Sequence, residues 1–157
     1  MIALLGDTHM PRGNRALPEG CLRVLEAADL ILHTGDFTGD SVLALLEAYA
    51  PVRAVHGNMD EWPLRERLPE RTTVEAEGAR IGLVHDPGPA AGRHARLRSW
   101  FPSCGIVVYG HTHRPEVTFE EAVWIVNPGS PTERRRAPGH TMAIVRDGRP
   151  ELVSLDG

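Results

Sequence analysis

The chain has 157 residues, 41% of them hydrophobic and 24% charged, with a formal net charge of −4. This length and balance fit one globular domain that buries its own core, and the acidic balance argues against nonspecific attraction to nucleic acid or to a membrane surface. A small phosphorylated substrate stays open, because a bound metal ion can supply local positive charge.

The continuous apolar run at residues 2–5 predicts a strand buried on both faces. No basic region precedes it and Asp7 follows at once, so it reads as a strand rather than a signal peptide. Residues 10–17 form a Pro/Gly/Arg loop. Pro18 then opens a helix, at a position where its missing N–H costs little, and Cys21, Val24, Leu25 and Ala28 follow at helical spacing. Residues 30–32 are the second strand. Asp40 can cap the next helix, on which Val42, Leu45, Leu46 and Tyr49 share one face. Pro51 stops it, and residues 52–55 are the third strand. Such a βαβαβ opening implies a parallel sheet.

The second half is richer in strands. Residues 73–76 and 80–84 flank Glu77-Gly78-Ala79, a hairpin signal. Residues 90–100 predict a helix and 106–109 another buried strand. Residues 117–119 pair with 123–126, and 142–145 with 152–155 across the Asp147-Gly148 turn. The expectation is one α/β domain spanning 1–157, with more strands than one sheet comfortably holds. Two packed sheets with helices outside would fit. Cys21 and Cys104 are too few for a disulfide framework and read as reduced, buried thiols of a cytoplasmic protein. No apolar run approaches the roughly 20 residues of a membrane helix.

The chemistry sits where strands end. Each buried strand runs directly into residues able to bind metal: Gly6-Asp7-Thr8-His9, His33-Thr34-Gly35-Asp36, His56-Gly57-Asn58-Met59-Asp60, His85-Asp86 and Gly110-His111-Thr112-His113. In open α/β sheets, ligands bind at the carboxyl ends of strands. Asp7/His9 and His111/His113 are two residues apart, so in an extended segment each pair points the same way and grips from one side. Gaps of 22 to 27 residues separate the clusters, close to one strand–helix–strand repeat. Four imidazoles, two carboxylates and an amide oxygen form a mixed nitrogen and oxygen set. That suits Mn, Fe, Ni, Co or Zn rather than structural zinc or calcium. Seven such groups exceed one tetrahedral site. His33 and His56 precede the ligand positions and read as core or supporting residues. His94 and His140 read as surface.

In order, these motifs resemble the calcineurin-like metallophosphoesterase superfamily, and most of all its small single-domain bacterial and archaeal phosphodiesterases. The pattern is D-x-H at Asp7-Thr8-His9, Gly35-Asp36, G-N-x-D at Gly57-Asn58-Met59-Asp60, His85, and G-H-x-H at Gly110-His111-Thr112-His113. A late Asn127-Pro128-Gly129-Ser130 also matches. The resemblance implies a four-layer αββα sandwich of two mixed sheets. It implies two divalent ions, with manganese preferred. Asp7, His9 and His113 would hold the first and Asn58, His85 and His111 the second, with Asp36 bridging. Asn58, Asp60, His85 and His111 are the expected catalytic set, Asp60 by orienting a ligand histidine.

The implied reaction is in-line hydrolysis of a small phosphodiester or nucleotide-like compound by a hydroxide shared between the metals. The alternatives are a phosphomonoesterase or nucleotide hydrolase, or a non-catalytic protein-binding scaffold on the same fold. No stable nucleic-acid partner is expected, and a homo-oligomer is left open. Two departures stand out. Many relatives place His after the Asn, where this chain has Met59 and thus no proton donor. Asp86 replaces nothing essential but adds negative charge, or else serves only as a turn residue. Arg12, Arg15 and Arg114 lie in loops where they could clamp phosphate, whereas Arg134-Arg135-Arg136 reads as a solvated loop.

Overall fold

The computed structural model describes residues 1–10 and 15–156. The first sheet contains β1 (Ile2–Leu5), β2 (Leu30–His33), β3 (Val52–Ala54), β9 (Thr141–Arg146) and β10 (Arg149–Ser154) in the order β10-β9-β1-β2-β3. The second contains β4 (Arg71–Ala76), β5 (Ala79–Val84), β6 (Ile106–Val108), β7 (Glu116–Glu120) and β8 (Val123–Asn127) in the order β4-β5-β6-β8-β7. Both sheets are mixed. β1, β2 and β3 run parallel, as the βαβαβ opening implies. The hairpins β4–β5, β7–β8 and β9–β10 are antiparallel.

Alternation along each strand sorts the apolar residues into layers. Ile2, Leu4, Leu32, Ile81, Leu83, Ile106, Val108 and Val126 fill the space between the sheets. Ala3, Leu5 and Ile31, one residue out of phase, pack outward against Cys21 and Leu25 of α1 (Glu19–Ala27) and Val42, Leu43 and Leu46 of α2 (Asp40–Glu47). On the far side, Val84, Val107 and Ile125 meet Leu97 and Phe101 at α4 (Arg93–Trp100). The sequence of layers is therefore helix, sheet, sheet, helix, the expected αββα sandwich. The β1 run is buried on both faces because each face meets a different layer, and fully burying one such leucine is worth roughly 1.5–3 kcal/mol.

Local differences have local causes. On α2 the buried stripe is Val42, Leu43 and Leu46, whereas Leu45 is 39% exposed and Tyr49 lies beyond the helix end. The face of α2 that meets the sheet thus includes Leu43 in place of Leu45. Gly39 occupies the cap position, and Asp40 is the first helical residue without a side-chain cap bond. A short helix α3 (Trp62–Arg67), opened by Pro63 and anchored by buried Leu64, lacks the apolar periodicity that would announce it. Among the described residues no helix is long and apolar enough to cross a membrane. Cys21 and Cys104 are free and buried, and burial pushes the Cys21 thiol up to about 12.

Candidate metal centre

The carboxyl ends of β1, β2, β5 and β6, together with the turn after β3, converge on one edge of the sandwich. Two groups form there. Asp7, His9 and His113 bring ligand atoms within 4.8 Å of one another, as do Asp36, His85 and His111, and either group could hold a metal ion. Asp36 lies between them: its Oδ2 is 3.2 Å from His85 Nε2 and 3.6 Å from His9 Nε2. Asn58 Oδ1 is 3.0 Å from His85 Nε2. All seven residues expected from the sequence are thus brought together.

The i, i+2 pairs work differently from the extended geometry expected. Asp7, His9, Asp36, His111 and His113 have φ between 45° and 72°, in the left-handed region that non-glycine residues seldom occupy. Asp7 and His9 still face one group, but His111 and His113 diverge to different groups. Such strain persists only where surrounding contacts enforce it, and it concentrates at functional sites. Gly57 permits the approach of the two loops. A Cβ there would sit 2.1 Å from Asp36 Oδ1 and 2.6 Å from its backbone nitrogen.

Supporting contacts fix each ligand-type atom. His85 Nδ1 donates to the Thr34 carbonyl at 2.9 Å, which turns Nε2 toward the Asp36 and Asn58 oxygens. Burial acts to lower this imidazole, but the Asp36 hydrogen bond and the Asp7 and Asp36 charges raise it, so without a cation at the site Nε2 keeps a proton. His113 Nδ1 donates to the Glu133 carbonyl, which turns Nε2 toward Asp7. Asp7 accepts from the His111 amide at 3.0 Å. Ser130 Oγ donates to the Asp7 carbonyl and Thr132 Oγ1 to the Thr8 carbonyl, so the late Asn-Pro-Gly-Ser segment clamps the first ligand loop. Asn127 Nδ2 donates to Thr112 Oγ1, between the two late histidines. The sequence matched that segment but assigned it no such role. Only side chains that reach distant backbone atoms reveal it.

Asp60 departs from its expected role. Among the described residues its carboxylate bonds no histidine; it accepts from the amides of Asp36 (2.9 Å), Phe37 (2.7 Å) and Gly57 (2.7 Å). It ties the β2 and β3 loops together beneath Asp36. His33 is a core residue as read: it stacks on Phe37, and its Nδ1 accepts from the Gly35 amide. Asp86 is the turn residue, its Oδ1 accepting from the Gly88 amide. Met59 is 40% exposed, with its amide donating to Asp36 Oδ1. Arg15 is committed to Glu133 at 2.9 Å, Arg114 is exposed beside His113, and Arg12 lies outside the described residues. His94 is held between Glu116 and Glu120 rather than free at the surface, and His140 pairs with Asp156.

The electrostatics fit a cation. His9 Nε2 and His113 Nε2 are buried without a hydrogen-bond partner, and orphaned buried polar atoms are rare unless a ligand completes them. Burial pushes the Asp7 carboxyl up to about 7 and the His113 imidazole down to about 4. Burial also lowers His9. These nitrogens are therefore neutral lone-pair donors at neutral pH, the form that binds a metal. Burial acts to raise Asp36, but the hydrogen bond and charge of His85 overcome it and hold that carboxyl low. The donor set and the unpartnered nitrogens both suit divalent ions.

A family model described as the calcineurin-like phosphoesterase superfamily domain matches residues 1–147. A probable metallophosphoesterase of Methanothermobacter thermautotrophicus is 35% identical over 150 residues, covering 94% of this chain and 87% of the relative. Among solved structures, wild-type Vps29 of Entamoeba histolytica, complexed with zinc, superposes with a TM-score of 0.77 at 23% identity, covering 99% of each chain. A structure described as a novel archaeal phosphodiesterase gives a TM-score of 0.74 at 20% identity, covering 98% of each chain. The two structural likenesses speak for the fold. The family match over nearly the whole length, with the 35% identical relative, establishes that the chain belongs to the calcineurin-like phosphoesterase superfamily.

Proposed function

We propose that the chain is a single-domain, two-metal phosphodiesterase acting on small phosphorylated esters. The observation that carries this reading is the placement of Asp36 between two ligand groups, the first of which leaves the buried His9 and His113 Nε2 atoms without a partner. Asp7, His9 and His113 would hold one divalent ion and Asn58, His85 and His111 the other, with Asp36 shared and manganese the preferred metal. When bound, such ions supply positive charge for phosphoryl oxygens and water acidic enough to act as a nucleophile near neutral pH.

The protein's own groups do the rest. Thr34 and Glu133 carbonyls keep His85 and His113 in the tautomer that presents Nε2. Asp60 holds the Asp36 and Gly57 backbones in register. Asn58, exposed at the mouth, presents its amide beside His85, where its N–H can donate to a phosphoryl oxygen. Met59 offers no proton to a departing alcohol. General acid help is typically worth about 10²–10⁴-fold, so its lack favours diesters with good leaving groups.

Chain loaded with Mn, Ni, Co or Zn is assayed against bis(4-nitrophenyl) phosphate and 4-nitrophenyl phosphate. Preferential diester turnover supports the proposal, and preferential monoester turnover selects the phosphomonoesterase reading. Occupied metal sites with no turnover of either ester leave the protein-binding scaffold.

A further inference from the structure

The three consecutive arginines before Ala137 are all exposed in a loop, as read, but they do not share one role. Arg134 is used structurally, its Nη1 donating to the Ala137 carbonyl at 3.0 Å. Arg135 and Arg136 instead turn with Arg114 and Thr112 onto a groove of about 620 Å³. Thr112 separates His111 from His113, so the groove opens directly beside the proposed metal centre. We propose that Arg114, Arg135 and Arg136 bind a second phosphoryl group, so that the ligand is a small compound carrying two phosphates. The proposal rests on reading the neighbouring centre as a phosphoester site.

The charge balance around the groove supports it. Arg15, Arg23, Arg80 and Arg98 pair with a carboxylate; other arginines among the described residues stand alone, but Arg114, Arg135 and Arg136 are set apart by sharing one groove. Arg114, Arg135 and Arg136 have no carboxylate within 4.0 Å among the described residues, although the chain as a whole is acidic. Three guanidinium groups facing one groove repel one another, and an anion relieves that repulsion. The planar fork of each guanidinium matches phosphate oxygens in pairs.

Backbone strain points the same way. Of the ten described non-glycine residues with positive φ, five belong to the metal centre. Glu77, Glu121, Ala122 and Asp147 serve the hairpin turns, and the tenth is Arg135, at φ 50°. Arg135 Nη1 lies 3.5 Å from the His111 carbonyl, which places its guanidinium beside the proposed metal centre. The adjoining cavity, of about 530 Å³, also reaches Thr112 and Arg114, but its His94 and Arg98 are already paired with Glu116 and Glu120.

The probes are two compounds that cannot be hydrolysed, propane-1,3-bisphosphonate and propylphosphonate, titrated calorimetrically into the manganese-loaded full chain at low ionic strength. Wild type is expected to bind the bisphosphonate about tenfold or more tightly than the monophosphonate, with the preference shrinking as salt screens the arginines. Arg114→Gln/Arg136→Gln is expected to reduce the preference to about twofold or less. Equal affinities in wild type overturn the proposal. So does an undiminished preference in the double variant. A tenfold preference in a chain that turns over no ester keeps the subsite and removes the hydrolase reading. Ester turnover without the preference does the reverse.

Discussion

Replacing Asp60 with alanine removes the acceptor for three amides at once. Those of Asp36, Phe37 and Gly57 lie 2.7–2.9 Å from its carboxylate, and the residue is 5% exposed, so water replaces the lost acceptor poorly. Hydrogen bonds to a charged group are worth about 1.5–3 kcal/mol each. Burial raises the Asp60 carboxyl against the three amides that lower it, so desolvation offsets part of that gain, and about 3 kcal/mol in total is the reasonable net. For a domain of this length, 1 kcal/mol moves the melting temperature by about 2–4 °C. Metal-free Asp60→Ala should therefore melt about 6–12 °C below wild type by calorimetry. Asp60→Asn, which keeps one acceptor but turns an amide N–H toward a backbone donor, should fall between. Both variants should also lose metal from the Asp36 group, because the Asp36 backbone is what Asp60 holds. A shift under about 2 °C in Asp60→Ala would refute the idea that this carboxylate organises the two loops.

Three further outcomes follow from the same geometry. Gly57→Ala puts a Cβ 2.1 Å from Asp36 Oδ1 and 2.6 Å from its amide nitrogen. It should destabilise by about 1–3 kcal/mol and lower metal content, read by melting and elemental analysis. Asp7, raised by burial from 3.8 to about 7, costs the metal-free fold stability as pH climbs from about 4 to about 7, because the carboxyl ionises freely in the unfolded chain while the buried one holds its proton until about 7. His113 and His33, lowered by burial to about 4 and about 3, act in the opposite direction between those values and 6.5, so the comparison must be with Asp7→Asn. That variant should gain stability over metal-free wild type on the order of 3–4 kcal/mol by pH 8 and show no gain at pH 4; equal urea midpoints at both pH values would speak against the burial argument. Leu32→Ala, at a fully buried position between the sheets, should cost about 2–5 kcal/mol in urea unfolding while leaving metal stoichiometry at two per chain.

The fold was legible where sequence pattern and environment coincide. Residues 2–5 and 106–108 are apolar throughout because layers cover both their faces, and the Asp147-Gly148 turn closes its hairpin as read. Helix α3 was not legible, because six residues with one buried leucine carry no period. The stripe on α2 differs at Leu45 because which side of a helix meets the sheet is settled by tertiary packing. At the candidate site, strand ends supplied the right residue types. The route to them was hidden: left-handed backbone at five positions separates His111 from His113, and no spacing rule for extended chain anticipates that. Asp60, Ser130 and Thr132 act on backbone atoms far away in sequence, which one chain read alone does not display.

The most direct measurement is bis(4-nitrophenyl) phosphate turnover during stepwise addition of manganese to metal-free chain, with bound metal counted at each step. Sharing through Asp36 predicts that hydrolysis stays near background after one ion per chain and rises steeply as the second binds. Full activity at one ion, or two bound ions with no hydrolysis, would contradict a two-metal phosphodiesterase.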